Sequence, residues 1–300
     1  MRSQIKSVSS PLPSGIESVA GFVGVASSEI VSGAIGELGN EASLATEHLV
    51  VRGKRSEPIR RPAVTIFETV MGKDDRTRVL ETTKSPWRMI CALEIRGPFG
   101  NFSGTGWLVG PKTLITAGHC VHEIHQMGGW AKTIRVVPGR NGADRPFGQI
   151  DAVKFTTTDV WIADQNPDYD IGCIHLPEPI GHNLGWFSIA SLSDIELQES
   201  LVNICGYPAD RGGGLEQYFE ANRILKVGPR RIFYDIDTFG GQSGAPVWVY
   251  QNGSDMPIGV AIHAYGTSAT PDDLHITANS APRILPEVLT QIKTWIASDN

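Results

Sequence analysis

From Val70 onward the chain is divided into short apolar runs by turn-forming residues, and this spacing limits the fold more than any other feature. The runs cover residues 89–95, 105–109, 113–117, 171–176, 201–205, 245–250 and 258–263. Gly97-Pro98, Gly110-Pro111 and Asn252-Gly253 separate several of them. Runs this short, bounded by Gly, Pro, Asn or Asp, predict strands rather than helices. With 33 Gly and 19 Pro in 300 residues and only 8% aromatic residues, the chain is turn-rich without being of low complexity. The expectation is an all-β barrel or sandwich. One helix is predicted, at the C-terminus: Leu285, Val288, Leu289, Ile292, Trp295 and Ile296 share a face at helical spacing, and Pro286 suits a first turn.

Charge and apolar content exclude several function classes. The net charge is −6, whereas binding nucleic acid requires a basic face, so no nucleic-acid partner is expected. No run of roughly 18 apolar residues occurs, so no membrane partner is expected either. Residues 1–69 carry seven Lys/Arg and seven Asp/Glu, so the −6 belongs wholly to residues 70–300. The apolar stretch 15–36 is interrupted by Glu17 and Glu29. It makes a poor signal-peptide core, which needs ~7–15 unbroken apolar residues. Arg52, Lys54, Arg55, Arg60 and Arg61 then form a basic linker, either a processing site or a solvated charged segment. Cys91, Cys120, Cys173 and Cys205 permit three complete pairings, and buried free thiols are the alternative for Cys173 and Cys205, which sit in apolar runs. Asn101-Phe102-Ser103 and Asn252-Gly253-Ser254 match the N-glycosylation pattern. His122 and His125 follow His119, but neither Cys-x-x-Cys nor His-Glu-x-x-His is present, so no metal and no cofactor is expected.

Three segments carry chemistry together. They are Thr116-Ala117-Gly118-His119-Cys120, Asp168-Tyr169-Asp170-Ile171-Gly172, and Asp237-Thr238-Phe239-Gly240-Gly241-Gln242-Ser243-Gly244-Ala245-Pro246. A serine hydroxyl is a weak nucleophile and needs a base to take its proton. Histidine titrates near neutral pH, and an aspartate fixes its tautomer and stabilises the imidazolium. The expected catalytic residues are therefore His119, Asp170 and Ser243, with Asp168 the competitor of Asp170. An oxyanion needs two backbone N–H groups aimed at one point, in a loop free of intruding side chains. Gly241 and Ser243 are the expected donors.

These motifs resemble those of chymotrypsin-like serine proteases over residues 70–300. The resemblance implies two six-stranded antiparallel β-barrels with a C-terminal α-helix, and an active site in the cleft between them. His119 and Asp170 would come from the first barrel and Ser243 from the second. Residues 70–76 and Gly259-Val260-Ala261-Ile262-His263-Ala264-Tyr265-Gly266 further resemble bacterial glutamyl endopeptidases. That subfamily implies a peptide or protein substrate with Glu or Asp at the cleaved position, bound by Thr238, His263 and a freed terminus at Val70 or Thr69. On this reading residues 1–69 are a leader or propeptide, cut near Glu68 or the basic linker, and the enzyme is a secreted monomer. Asp237 lies where trypsin-like enzymes select Lys or Arg, and that specificity is the alternative. Gln242 stands where those enzymes carry the aspartate that pairs with a new amino terminus, so that switch is not expected. A non-catalytic binding relative is the reading from another class.

Overall fold

The computed structural model describes residues 5–12, 69–251 and 253–299. Most of the expected leader, the basic linker, Glu68 and Asn252 lie outside the described residues. The body consists of two curled, almost wholly antiparallel sheets and a C-terminal helix, Pro286–Asp299. The first sheet orders its strands Ser7–Ser9, Lys154–Thr158, Gly172–His175, Thr113–Thr116, Asn101–Leu108, Ile90–Arg96, Thr133–Pro138 and Ile150–Ala152. The second runs Ser188–Ile189, Ile258–Ile262, Pro246–Val249, Leu201–Gly206, Tyr218–Val227, Arg231–Tyr234 and Asn279–Pro282, with Thr77–Arg78 added against Tyr218–Val227. The two-barrel architecture is thus present with eight strands per sheet, because short edge segments join. One of them, Ser188–Ile189, pairs in parallel with Ile258–Ile262.

All seven apolar runs fall on strands, and their continuity has a physical cause. Along Ile90–Arg96, Cys91, Leu93 and Ile95 point into the interior of the first sheet. Ile90 and Ala92 point the other way, into a core shared with the second sheet and the helix. Trp107 and Leu108, Leu114 and Ile115, and Cys173 and Ile174 divide in the same way. A strand buried on both faces loses the apolar–polar alternation and reads as a run. The shared core stacks Trp107 against Phe187 at 5.2 Å and Phe187 against Trp248 at 5.7 Å, both edge to face. Val288, Leu289, Ile292 and Trp295 of the helix close it. Each such side chain contributes about 1.5–3 kcal/mol on burial. All four cysteines are free and buried, and burial pushes the thiols of Cys91, Cys173 and Cys205 up.

Candidate active site

Strand register brings His119 and Asp170 together. Gly172 pairs with Thr116 in an antiparallel ladder, so the residues just outside the pairing, Asp170 and Gly118, also face each other. Asp170 is fully buried. Its Oδ1 accepts the His119 backbone N–H at 2.8 Å, and its Oδ2 lies 2.7 Å from His119 Nδ1. Tyr265, from the second sheet, donates its hydroxyl to the same Oδ2. Gly118 has to be glycine, because a Cβ there would lie 2.9 Å from both Asp170 Oδ1 and Thr157 Oγ1. Burial acts against a charge on His119, but the Asp170 carboxylate outweighs it and holds the ring's pKa well above its usual value. Asp168 does not share this site: its Oδ1 takes the Arg231 Nε at 2.9 Å.

The same logic places Ser243. Pro246 pairs with Ile262, and beyond that pair the Gly244 N–H donates to His263 O and the His263 N–H to Ala245 O. Ser243 therefore lies beside the segment carrying His263 and Tyr265. Its carbonyl reaches into the first sheet, accepting from Thr105 N–H at 2.8 Å and from Cys120 Sγ at 3.6 Å. Cys120 directly follows His119, so the two halves of the site are pinned to each other. Thr105 holds the loop a second time through its hydroxyl, which donates to Gly241 O at 2.8 Å. Gly241 (φ +106°) and Gly244 (φ +87°) adopt a left-handed backbone, and a Cβ on Gly244 would collide with Thr105 O.

Arg76 braces this loop from below. Its buried guanidinium donates to Asp74, to Asp210 at 2.6 Å and 3.2 Å, and to Gln242 Oε1 at 3.3 Å. Gln242 Oε1 also accepts the Phe239 N–H. The residue before Ser243 is thus held by an internal arginine. Arg76→Met leaves Asp210 and Gln242 without this donor. It is expected to destabilise the fold by about 3 kcal/mol and to lower kcat with KM little changed. Thermal melting and steady-state kinetics check both.

Thr238 and His263 are both fully buried. The Thr238 hydroxyl has no hydrogen-bond partner among the described residues. Tyr234 OH lies 2.6 Å from His263 Nδ1. Burial, then the charge of His119, lowers the pKa of His263 to about 3, so the ring is neutral at working pH. Thr69, next to Val70, is anchored beside Thr238: its carbonyl accepts from Thr238 N at 3.3 Å and from Asn279 Nδ2 at 2.7 Å. Asp237 is turned to another task. Its Oδ1 accepts the Met71 N–H at 2.6 Å and its Oδ2 the Asp75 N–H at 3.1 Å. Thr105, Arg76, Tyr234 and Tyr265 were not singled out from sequence, since each acts through contacts far along the chain.

Residues 104–254 match the model of the trypsin-like peptidase domain. The chain is 35% identical over 250 residues to a glutamyl endopeptidase of Bacillus licheniformis, covering 81% of this chain and 73% of that protein. It is 33% identical to a Bacillus subtilis protein named extracellular metalloprotease, over 76% of this chain and 69% of the relative. A solved Glu endopeptidase, in complex with MPD, superposes with a TM-score of 0.66 at 28% identity, over 76% of this chain and all of that one. This chain therefore belongs to the trypsin-like peptidase family, and it is a serine protease of chymotrypsin-like fold with glutamyl endopeptidases among its relatives. The Bacillus subtilis relative's name implies a metal, but among the described residues no group of three His, Cys, Asp or Glu side chains is arranged to hold one. No described helix is long and apolar enough to cross a membrane.

Proposed function

We propose that the chain is an endopeptidase cleaving after Glu, and less well after Asp, through His119, Asp170 and Ser243. The single observation that carries the specificity is the buried Thr238 hydroxyl, five positions before Ser243, which has no partner among the described residues. A buried substrate carboxylate needs donors. Thr238 supplies its O–H. When Tyr234 donates to His263 Nδ1, the neutral ring keeps its proton on Nε2, a second donor. Because His263 is held neutral, positive charge has to come from elsewhere. Cleavage after Thr69 would create an ammonium group on Val70, next to Thr238. On this reading residues 1–69 are a propeptide, and the enzyme is a secreted monomer acting on proteins or peptides. The occupation of both Asp237 oxygens by Met71 and Asp75 argues against Lys or Arg specificity.

In catalysis His119 takes the Ser243 proton as the hydroxyl attacks the carbonyl carbon, and returns it to the leaving amine. Asp170 keeps the ring in the tautomer with its proton on Nδ1. The Gly241 and Ser243 amides receive the oxyanion, each worth about 2.7–4 kcal/mol. Matched peptides with Glu, Asp, Lys, Phe or Ala before the scissile bond test the reading. Glu is expected to give the highest kcat/KM, and a preference for Lys would overturn it. His263→Ala removes a hydrogen bond to a charged group, worth ~1.5–3 kcal/mol. It should lower kcat/KM for the Glu peptide by about 10- to 150-fold and leave the Ala peptide unchanged.

A further inference from the structure

The first sheet ends on a strand from the opposite end of the chain. Ser7–Ser9 pairs antiparallel with Lys154–Thr158, in the register Ser7–Thr158, Val8–Thr157, Ser9–Thr156. Backbone bonds continue the ladder on both sides, from Asp159 N–H to Lys6 O at 2.9 Å and from Ser10 N–H to Phe155 O at 2.8 Å. Side chains add to it. Ser10 Oγ accepts the Phe155 N–H at 3.0 Å, Trp295 Nε1 donates to Ser7 Oγ at 3.1 Å, and Ile5 packs against the shared core.

Ser9 also joins a buried polar relay that the proposed mechanism does not use. Ser9 Oγ lies 3.1 Å from Thr156 Oγ1, which lies 2.8 Å from His175 Nε2. His175 Nδ1 lies 2.7 Å from Asp299 Oδ1, and Thr113 donates to Asp299 Oδ2 at 2.7 Å. The strand next to Ser7–Ser9 reaches the active site: the hydroxyls of Thr157 and Thr158 donate to Ile171 O and Tyr169 O, both at 2.8 Å, on either side of Asp170.

We infer that the edge of Lys154–Thr158 is a docking surface for the chain's own N-terminal strand, residues 5–10, and that this strand remains bound after the chain is cut anywhere from residue 13 to the Thr69–Val70 bond. Every contact described above lies within residues 5–10 and the body, so none depends on the connecting segment. The processed enzyme then consists of two chains, with the N-terminal fragment completing the first sheet by β-augmentation. The inference adds to the proposed processing of the leader, but its test does not need peptidase activity.

The test uses the full chain with Ser243→Ala, to prevent self-cleavage, and a site-specific protease sequence inserted after residue 40. Hydrogen exchange is followed at the Thr157 and Asp159 amides before and after the cut, at micromolar protein. Lys6 O and Ser10 N both face Lys154–Thr158, so the backbone groups of Val8 do as well, by the two-residue repeat of a strand. Uncut Val8→Pro therefore serves as the undocked reference. Protection in the cut protein that stays within about twofold of the uncut protein supports the inference, and native mass spectrometry should find the fragment associated. Exchange as fast as in Val8→Pro would overturn it. Failure of the peptide-cleavage assays would bear only on the functional reading.

Discussion

Ser243→Ala is expected to lower kcat by about 10⁶-fold, with the fold intact. The magnitude is what loss of the nucleophile costs in a serine protease whose oxyanion site survives; a residual ~10³–10⁴-fold over water remains. Survival is expected here because the loop is held by backbone and by residues other than the serine hydroxyl. Thr105 fixes Ser243 O and Gly241 O, His263 fixes the Gly244 N–H, and Arg76 fixes the Gln242 side chain. Alanine fits the same backbone, so the melting temperature should stay close to that of the parent. His119→Ala should cost a similar factor, and the double variant little more, since the residues act as a unit. Steady-state kinetics on the Glu peptide and labelling by a fluorophosphonate provide the measurements. Activity of Ser243→Ala within tenfold of the parent, or labelling that persists, would remove Ser243 from the role of nucleophile.

The loop is legible in sequence because its chemistry is local. Gly241 to Pro246 sits between a turn and a strand, and His119 and Asp170 each lie within three positions of a strand end, so short motifs contain them. What supports them is not local. Tyr265 reaches Asp170 across 95 positions, and Arg76 reaches Gln242 across 166; both lie in motifs that resemble glutamyl endopeptidases, but nothing in those motifs names the partner. The choice between Asp168 and Asp170 illustrates the difference. Both precede the same strand, and only the pairing of Gly172 with Thr116 puts Asp170 opposite Gly118 and leaves Asp168 to Arg231.

Strands divide in the same way. Those buried on both faces announce themselves as apolar runs. Lys154–Thr158 does not, although its three threonines are buried. Their hydroxyls are satisfied by His175, Ile171 O and Tyr169 O, and a polar residue whose partner is distant in sequence looks like a surface residue. Asn279–Pro282 is hidden for the same reason: it is entirely buried, and Asn279 donates to Thr69 O and Ile236 O. The N-terminal strand escapes notice because Ser7-Val8-Ser9 has little apolar content. Its pairing depends on an edge that forms only when residues 154–158 are in place.

Asp170→Asn should lower kcat by about 10⁴-fold, the cost of the wrong imidazole tautomer in a triad of this type, and the contacts of the carboxylate indicate why. Its Oδ1 accepts the His119 backbone N–H, and its Oδ2 faces both His119 Nδ1 and the Tyr265 hydroxyl. An asparagine has one acceptor oxygen and one amide nitrogen. The backbone N–H can only donate, so it fixes the oxygen at the Oδ1 position. The amide nitrogen then occupies the Oδ2 position and donates to His119 Nδ1, while Tyr265 reverses and accepts. Every polar group keeps a partner, so the protein should fold. The histidine proton, however, is now on Nε2, where it cannot receive the proton of Ser243.

A second signature separates this from general damage. In the parent, the Asp170 charge raises the pKa of His119, so the ring becomes a competent base only above its usual range. Without the charge the folded pKa falls, and the acid limb of the remaining kcat/KM should move to lower pH. Tyr265→Phe provides the contrast. It removes one donor from the carboxylate but leaves the charge and the tautomer, so its loss should be far below 10⁴-fold and its acid limb should stay above that of Asp170→Asn. If Asp170→Asn retained the parent's acid limb, Asp170 would not be the group that sets the state of His119.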